Sequence, residues 1–128
     1  MTDDERPDRR SELRVLVVED EMLVALVLED MLTELGHKIV GPASKVSVGL
    51  EIARRQEIDI AILDLNLAGD SSLPIASALR ARGIPVVFST GYGRGGLPES
   101  FRDALLLQKP FLQLDVEDVI AQAKMTGR

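Results

Sequence analysis

The chain has 128 residues, of which 45% are hydrophobic, and a formal net charge of −6. This length suits one domain with a sizeable core, and the excess of acidic residues argues against direct binding of nucleic acid, which requires neutralisation of phosphates. The chain has no cysteine, which excludes disulfides, thiolate metal sites and cysteine nucleophiles.

The sequence carries no membrane or export signal. No apolar run reaches the length that spans a bilayer, because Glu29, Asp30 and Glu34 interrupt the longest one. The amino terminus, Met-Thr-Asp-Asp-Glu-Arg-Pro, has no apolar core of a signal peptide. We therefore expect a cytoplasmic protein without membrane contact.

The chain begins with a polar stretch over residues 1–12, which we expect to be a mobile tail. The β-branched run Leu13–Val18 predicts a first strand, and apolar residues at helical spacing predict a first helix over Met22–Leu35. Lys38–Val40 predicts a short second strand, and Gly41-Pro42 is typical of a turn that ends it.

A second helix is predicted from Ser44, which can cap its amino terminus, through Arg55. His37, between the first helix and the second strand, is expected to be an exposed turn residue rather than a phosphorylated or metal-binding one. Ile58–Asn66 is the most continuous apolar stretch, and it predicts a central strand that is buried on both faces and ends at Asp64.

The second half continues the same alternation. Residues 65–72 are expected to form a loop, and Ser72 is expected to cap a third helix that Gly83 ends. Pro85–Ser89 predicts a fourth strand, whose carboxyl end is Thr90.

The stretch Gly91–Gly96 is too rich in glycine to be helical, so any fourth helix should be short and begin near Pro98. The stretch matches G-x-G-x-x-G, but it opens no regular helix, and we treat the match as accidental. Ala104–Leu107 predicts a fifth strand, and Gln113–Lys124 predicts the last helix. Five alternations of strand and helix with short connections predict a doubly wound α/β sandwich around a five-stranded parallel sheet.

In such a fold the carboxyl ends of all strands lie along one edge of the sheet. Polar residues that follow four of the strands are therefore expected to meet there. They are Glu19, Asp20, Asp64, Thr90 and Lys109.

Three neighbouring carboxylates repel one another unless one holds a proton or a cation binds between them. Oxygen ligands without histidine or cysteine favour a hard cation, so the pattern predicts Mg²⁺, with Mn²⁺ as a substitute. Glu19, Asp20 and Asp64 are the expected ligands, together with the backbone carbonyl of Asn66. A carboxylate beside a divalent cation, an ammonium and a hydroxyl can accept a phosphoryl group on oxygen, so Asp64 is the predicted nucleophile.

Five separated features in this order resemble the receiver domain of two-component response regulators. They are the Glu19-Asp20 pair, Asp64, Thr90, Lys109 and Pro110. The resemblance extends from Leu13 to Lys124, so we expect a receiver domain over residues 13–126 with flavodoxin-like strand order 2-1-3-4-5. It also implies a cis bond before Pro110.

The resemblance implies that Asp64 is phosphorylated by a histidine kinase or a histidine phosphotransfer protein in a Mg²⁺-dependent reaction. Thr90 then turns to the phosphoryl group, and Lys109 pairs with it. The chain departs from most receivers at Leu106, where they have an aromatic residue, and at Ala68, where they have proline. Its Phe-Ser-Thr-Gly-Tyr-Gly segment is similar to the FATGUY subgroup, so Tyr92 is a candidate output residue.

The first helix has apolar residues beyond one face, which suggests a partner surface. In the receiver family this helix lies beside the site, so we expect Leu23, Leu26 or Val27 to contribute to docking of the phosphodonor protein. The chain ends shortly after the last helix, and we expect a stand-alone receiver that signals by protein contact or drains phosphate from a pathway. The alternatives are an aspartyl-phosphate phosphatase or phosphotransferase, and a degenerate receiver that acts only as a docking module.

Overall fold

The computed structural model of the chain describes residues 12–92 and 94–126. The predicted tail over residues 1–12 lies outside this range except for Glu12, and Gly93 also lies outside it. The main sheet contains β1 (Arg14–Val18), β2 (Lys38–Ala43), β3 (Ile60–Asp64), β6 (Val86–Thr90) and β7 (Leu105–Gln108). A second, two-stranded sheet contains β4 (Asn66–Leu67) and β5 (Asp70–Ser71). The helices are α1 (Met22–Glu34), α2 (Val46–Arg55), α3 (Leu73–Ala81) and α4 (Gln113–Thr126).

The main sheet is parallel throughout and has the order β2-β1-β3-β6-β7. Counted along this sheet alone, the order is 2-1-3-4-5, so the predicted doubly wound fold is confirmed. The register pairs Asp64 with Ser89 and Thr90 with Gln108. The carboxyl ends of β3, β6 and β7 therefore lie side by side at one edge.

Two apolar clusters cover the two faces of this sheet. Residues of α2 and α3 pack on one face around Leu16, Leu63 and Phe88, which are completely shielded from solvent. Residues of α1 and α4 pack on the other face around Val17 and Ile62. All five residues of β3 are buried, as predicted for the central strand. Each large apolar side chain that is buried in this way stabilises the fold by about 1.5–3 kcal/mol.

The second strand is longer than predicted. β2 continues through Gly41-Pro42 to Ala43, because a shift in register between Leu16 and Val18 of β1 accommodates the two residues in the ladder. The amide of Glu19 donates to the carbonyl of Ala43, which extends the pairing to the site. Consequently α2 begins at Val46, and the prediction that Ser44 caps it is wrong.

Residues 65–72 were expected to form a loop, but β4 and β5 form an antiparallel hairpin there. Ser72 lies at the amino-terminal end of α3 and makes no capping hydrogen bond; its hydroxyl instead donates to the carbonyl of Leu65 at 3.2 Å. Between β6 and β7 the sequence predicted at most a short helix near Pro98, and this is confirmed. Among the described residues of this segment there are two short 3₁₀ turns, Arg94–Gly96 and Glu99–Phe101, and no α-helix.

His37 lies in a turn, but it is half-buried rather than exposed. Its Nδ1 accepts a hydrogen bond from the amide of Leu13 at 3.1 Å. Burial lowers the pKa of His37, and the positive charge of Lys124 lowers it further. This histidine therefore ties the first strand to the turn after α1 in its neutral form.

Two apolar residues of the helices, Val48 on α2 and Leu114 on α4, are exposed. Within the described residues, none of the helices has the length and apolar character needed to cross a bilayer.

Candidate functional site

The carboxyl edge of the sheet opens into a cleft of about 1010 Å³. Most of the polar residues that the sequence placed at this edge line it: Asp20, Asp64, Asn66, Thr90 and Lys109. Glu19 lies immediately behind them and is buried. The parallel ladder explains this convergence, because each side chain sits at or just beyond the end of a strand.

Lys109 joins the acids of two different strands. Its Nζ lies 2.9 Å from Oε1 of Glu19 and 3.1 Å from Oδ2 of Asp64. Its backbone is also fixed, because the amide of Lys109 donates to the carbonyl of Thr90 at 2.8 Å. The ammonium thus reaches the cleft from β7 and holds the Asp64 carboxylate in place.

Glu19, Asp20 and Asp64 each present a carboxylate oxygen, and these oxygens lie within 4.8 Å of one another. One ammonium faces all of this negative charge at the buried end of the cleft. Close carboxylate oxygens with no sulfur or nitrogen ligand are the donor set that hard divalent cations prefer. The residues present therefore fit a magnesium-type cation.

The pKa values reflect this crowding. Burial raises the pKa of Glu19 to about 7, and the proximity of Asp64 adds to the effect, although the hydrogen bond to Lys109 opposes it. Burial by itself would lower the pKa of Lys109, but its hydrogen bonds to Glu19 and Asp64 outweigh burial and raise it. Lys109 therefore stays charged, and the carboxylates are short of positive charge.

Backbone amides orient the remaining groups. The amide of Asn66 donates to Oδ1 of Asp64 at 3.2 Å. The side-chain Oδ1 of Asn66 is engaged elsewhere, since it accepts from the amide of Gly69 at 2.8 Å. Hence the backbone carbonyl of Asn66, and not its side chain, is the candidate ligand. Thr90 Oγ1 accepts from the amide of Tyr92 at 3.1 Å, and the Tyr92 side chain is 89% exposed.

Sequence reasoning missed part of the site. Glu21 was assigned no role, but its carboxylate lies 3.9 Å from the ammonium of Lys109; its position one residue after the acidic pair was the available signal. The hairpin residues Ala68, Gly69 and Ser71 also line the cleft. They were missed because a two-residue strand has no recognisable periodicity.

The side of α1 next to the cleft is apolar and exposed. Leu23 is 76% exposed, and Leu26 and Val27 are each 48% exposed. Leu23 and Val27 form a groove of about 370 Å³ with Pro110 and Phe111, and Lys109 lies at its end. Leu26 lies outside this groove.

The family of the chain follows from comparison with known proteins. The model of the response regulator receiver domain matches residues 15–118. The chain belongs to the response regulator receiver domain family. The cis bond before Pro110, which the resemblance implied, is present. The strand order of the main sheet and the family match thus agree on a receiver domain of the two-component type.

Related proteins of known structure or assigned role support this placement. The chain is 42% identical to SdrG from Sphingomonas melonis Fr1, whose solution structure matches with a TM-score of 0.76 over 91% of this chain and 97% of that chain. The BeF3-activated conformation of SdrG from Pseudomonas melonis Fr1 matches with a TM-score of 0.74 and 43% identity over 87% of this chain and 96% of that chain. The phyllosphere-induced regulator PhyR from Methylorubrum extorquens is 36% identical over 85% of this chain and 42% of its own length. The chain spans about half the length of the curated relatives it matches.

Proposed function

We propose that the chain accepts a phosphoryl group on Asp64 from a phosphohistidine of a histidine kinase or a histidine phosphotransfer protein, in a reaction that requires Mg²⁺ or Mn²⁺. The observation that carries this proposal is the position of the Asp64 carboxylate at the floor of an open cleft, 3.1 Å from the ammonium of Lys109 and within 4.8 Å of two further acids. The BeF3-activated conformation of the relative SdrG supports it.

The chemistry is a displacement at phosphorus. An oxygen of Asp64 forms a bond to phosphorus while the bond from phosphorus to the donor histidine nitrogen breaks, and the imidazole leaves with the electron pair of that bond. Positioning and charge neutralisation supply most of the catalysis in such a transfer. Asn66 and Lys109 hold the two carboxylate oxygens of Asp64 from different sides, so the nucleophile is fixed before the donor arrives.

Glu19, Asp20, Asp64 and the backbone carbonyl of Asn66 are the residues that would hold the cation. When bound, Mg²⁺ supplies positive charge to the phosphoryl oxygens, which the described acidic cluster lacks by itself. Lys109 supplies a second positive charge, and its ammonium moves from the carboxylates to the phosphoryl group. Removal of the metal with a chelator is therefore expected to abolish the transfer.

The primary test is incubation with Mg²⁺ and acetyl phosphate, followed by mass spectrometry of the intact protein and of its peptides. We expect the mass of one phosphoryl group on Asp64, and no adduct in Asp64→Asn, which preserves the shape of the side chain but is a much weaker nucleophile. Asp30→Asn is the matched control, because Asp30 is an exposed aspartate on α1 and is not among the residues that line the cleft, and it is expected to react like the wild type.

Two outcomes of this experiment would reject the proposal. Rapid turnover of many phosphomonoesters without a lasting adduct would indicate a phosphatase or phosphotransferase. The absence of any adduct, with the fold intact, would indicate a degenerate receiver that acts as a docking module.

We propose that the signal leaves the site through Thr90 and Tyr92. The Thr90 hydroxyl holds the amide of Tyr92 in the structure. If that hydroxyl turns to a phosphoryl group, the Tyr92 amide loses its partner and the segment that carries the exposed ring is released. Leu106 has no aromatic ring with which to transmit the change, so the loop after β6 is the output surface. The signal would then reach a cytoplasmic protein partner, or phosphate would be drained from a pathway.

The apolar groove of Leu23, Val27, Pro110 and Phe111 is the proposed docking site for the phosphodonor protein. A helix of the donor that lies in this groove would place a phosphohistidine near Lys109 and Asp64, because Lys109 lines both the groove and the cleft. Exposed apolar surface beside a polar site is typical of such interfaces.

Replacement of Leu23 with glutamate tests the docking surface. We expect Leu23→Glu to slow transfer from the cognate donor protein by about tenfold or more, since charge in an interface core is costly, and to leave the reaction with acetyl phosphate unchanged. Val48→Glu is the matched control, because Val48 is an exposed apolar residue on α2 of the opposite layer. Equal slowing with both phosphodonors would reject the docking surface.

A further inference from the structure

The turn of the β4–β5 hairpin has an unusual backbone. Leu67 pairs with Asp70, so Ala68 and Gly69 are the two residues of the turn. Both have positive φ, +53° at Ala68 and +95° at Gly69. Two positive φ values are what a type I′ turn requires, and asparagine followed by glycine is the preferred pair.

Gly69 suits this turn and Ala68 does not. A Cβ at Gly69 would meet nothing within 4 Å, so glycine is required there for its backbone conformation and not for space. Ala68 is the one residue other than glycine with positive φ among the described residues. Alanine in this conformation is strained, because its Cβ crowds the following carbonyl. The hairpin therefore needs support from elsewhere.

The support comes from the side chain of Asn66. Its Oδ1 accepts from the amide of Gly69 at 2.8 Å, which closes the turn across Leu67 and Ala68. The backbone amide of the same residue donates to Oδ1 of Asp64 at 3.2 Å. Asn66 thus links the strained turn to the carboxylate that lies at the centre of the site.

We infer that the side chain of Asn66 is a positioning residue: it clamps the strained turn and so orients its own backbone against Asp64 and the cation. The inference rests on the proposed function for its consequence, since the geometry that it maintains is that of the phosphoacceptor. It assigns to the Asn66 side chain a structural partner, Gly69, instead of a direct contact with the phosphoryl group.

The experiment is a double-mutant cycle of Asn66, whose side chain closes the turn, and Ala68, whose backbone is strained. We expect Asn66→Ala to weaken Mg²⁺ affinity about tenfold, the usual range for groups that orient metal ligands, and to slow phosphorylation by acetyl phosphate about as much. Ala68→Asn supplies the asparagine-glycine pair that relieves the strain. In the double variant Asn66→Ala with Ala68→Asn, we expect most of the lost affinity and rate to return.

Three measurements separate the outcomes: Mg²⁺ affinity by calorimetry, the phosphorylation rate, and hydrogen exchange in the hairpin. The Gly69 amide loses its acceptor and should exchange faster in Asn66→Ala and in the double variant alike. The amide of Asp70, which pairs with Leu67 across the turn, should exchange faster in Asn66→Ala and slow again in the double variant. A defect in Asn66→Ala that Ala68→Asn does not relieve would show that the side chain acts directly in the cleft, and would overturn the inference. An Asn66→Ala variant without any defect would also overturn it.

Failure of the proposed function gives a different result. In that case the wild type forms no phosphoryl adduct at all. The exchange rate of Gly69 and the Mg²⁺ affinity still test the clamp in the same proteins. If the wild type is phosphorylated but the double variant recovers neither Mg²⁺ affinity nor rate, the clamp is rejected and the proposed function stands.

Discussion

The two walls of the cleft are held in place in different ways. The hairpin wall, residues 65–72, is held by side-chain hydrogen bonds of Asn66 and Ser72 within the wall, and the amide of Asn66 joins it to Asp64. Leu67 is buried beneath it. The loop wall, residues 91–92 and 94–104, is held mainly by burial of Leu97 and Phe101. Hydrogen bonds are directional and apolar packing is not. We therefore expect the hairpin wall to set the position of a reacting group and the loop wall to tolerate displacement, as the proposed output surface would require.

The loop wall has a single large anchor. The ring of Phe101 packs edge-on against Phe88 with centroids 5.5 Å apart, and the guanidinium of Arg80 lies 3.8 Å from its centroid. Arg80 also donates to the carbonyl of Ser100 at 2.7 Å. These contacts join the loop wall to α3 and to β6, the strand that carries Thr90.

The largest expected effect comes from removal of this anchor. Phe101→Ala should lower the free energy of unfolding by about 3 kcal/mol, because it leaves a cavity against Phe88. Mg²⁺ affinity should stay close to that of the wild type, since the candidate ligands lie at the end of β3, directly after β1 and on the hairpin wall. Urea denaturation and calorimetry measure the two quantities, and Phe101→Leu serves as the milder control. A large loss of Mg²⁺ affinity in a folded Phe101→Ala protein would contradict the separation of the walls.

A smaller change at the base of the hairpin wall is expected to have the opposite profile. Ser72 is completely buried and its hydroxyl donates to the carbonyl of Leu65, so Ser72→Ala should cost about 1 kcal/mol of stability. Because this wall leads to Asp64, Mg²⁺ affinity should fall as well. The exposed Ser77 on α3 supplies the control variant Ser77→Ala. If Mg²⁺ affinity were unchanged in Ser72→Ala, the hairpin would not position the site.

Arg80→Gln should lower the free energy of unfolding by about 1 kcal/mol, no more than Ser72→Ala does, since a cation over an aromatic ring contributes about this much near the surface. Arg80→Lys retains the charge but lacks the planar guanidinium, and it should recover only part of the loss. Thermal unfolding compares the three proteins. Full recovery in Arg80→Lys would indicate that charge alone matters, without the stacked geometry or the hydrogen bond to Ser100.

The smallest effect on stability is expected from His37, at the edge of the sheet opposite the cleft. This residue belongs to neither wall and so provides a reference for the comparison. The pKa of His37 is lowered from its usual value of 6.5 by burial. The unfolded chain therefore binds this proton at a higher pH than the folded chain does, so stability should fall as the pH drops below 6.5. Protonation of Nδ1 would also remove the acceptor for the amide of Leu13.

His37→Gln checks this pH dependence. The difference in the free energy of unfolding between wild type and variant should shrink as the pH falls from neutral through 6.5, because the wild type alone loses stability from this group. Groups in the cleft titrate in both proteins and cancel in the difference. A difference that does not change with pH would show that His37 has the same pKa in both states.

The alternation of strands and helices was readable from the sequence because hydrophobic periodicity is a local property. The apolar stretch Ile58–Asn66 predicted a buried strand. Because parallel strands end at one edge of the sheet, the sequence then predicted that Asp64 and Lys109 meet there, although 45 positions separate them. The family resemblance depended on the same residues. The first-helix surface was also foreseeable, since Leu23 and Val27 exceed what one buried face requires.

Other parts of the site were not readable in this way. The hairpin after β3 has strands of two residues, too short for any periodic signal, and the strain at Ala68 exists only in the folded backbone. Ser44 and Ser72 are of a residue type that commonly caps helices, but neither makes a capping hydrogen bond here. β2 continues to Ala43, next to Ser44, and the hydroxyl of Ser72 donates to the carbonyl of Leu65. The pairing of Arg80 with Phe101 joins α3 to a short 3₁₀ turn, whose three residues are too few to show a periodic pattern.

The sequence by itself determined the fold class, the central strand and the group of acids, hydroxyl and ammonium at one edge, because each depends on local periodicity or on a general rule for parallel sheets. Only the tertiary structure decided how these groups are held: the clamp of Asn66 on Gly69, the raised pKa of Glu19 and the partner of His37. The last two depend on burial and on contacts between residues far apart in the chain. The clamp joins residues only three positions apart, and it depends on the backbone of a hairpin whose short strands carry no periodic signal.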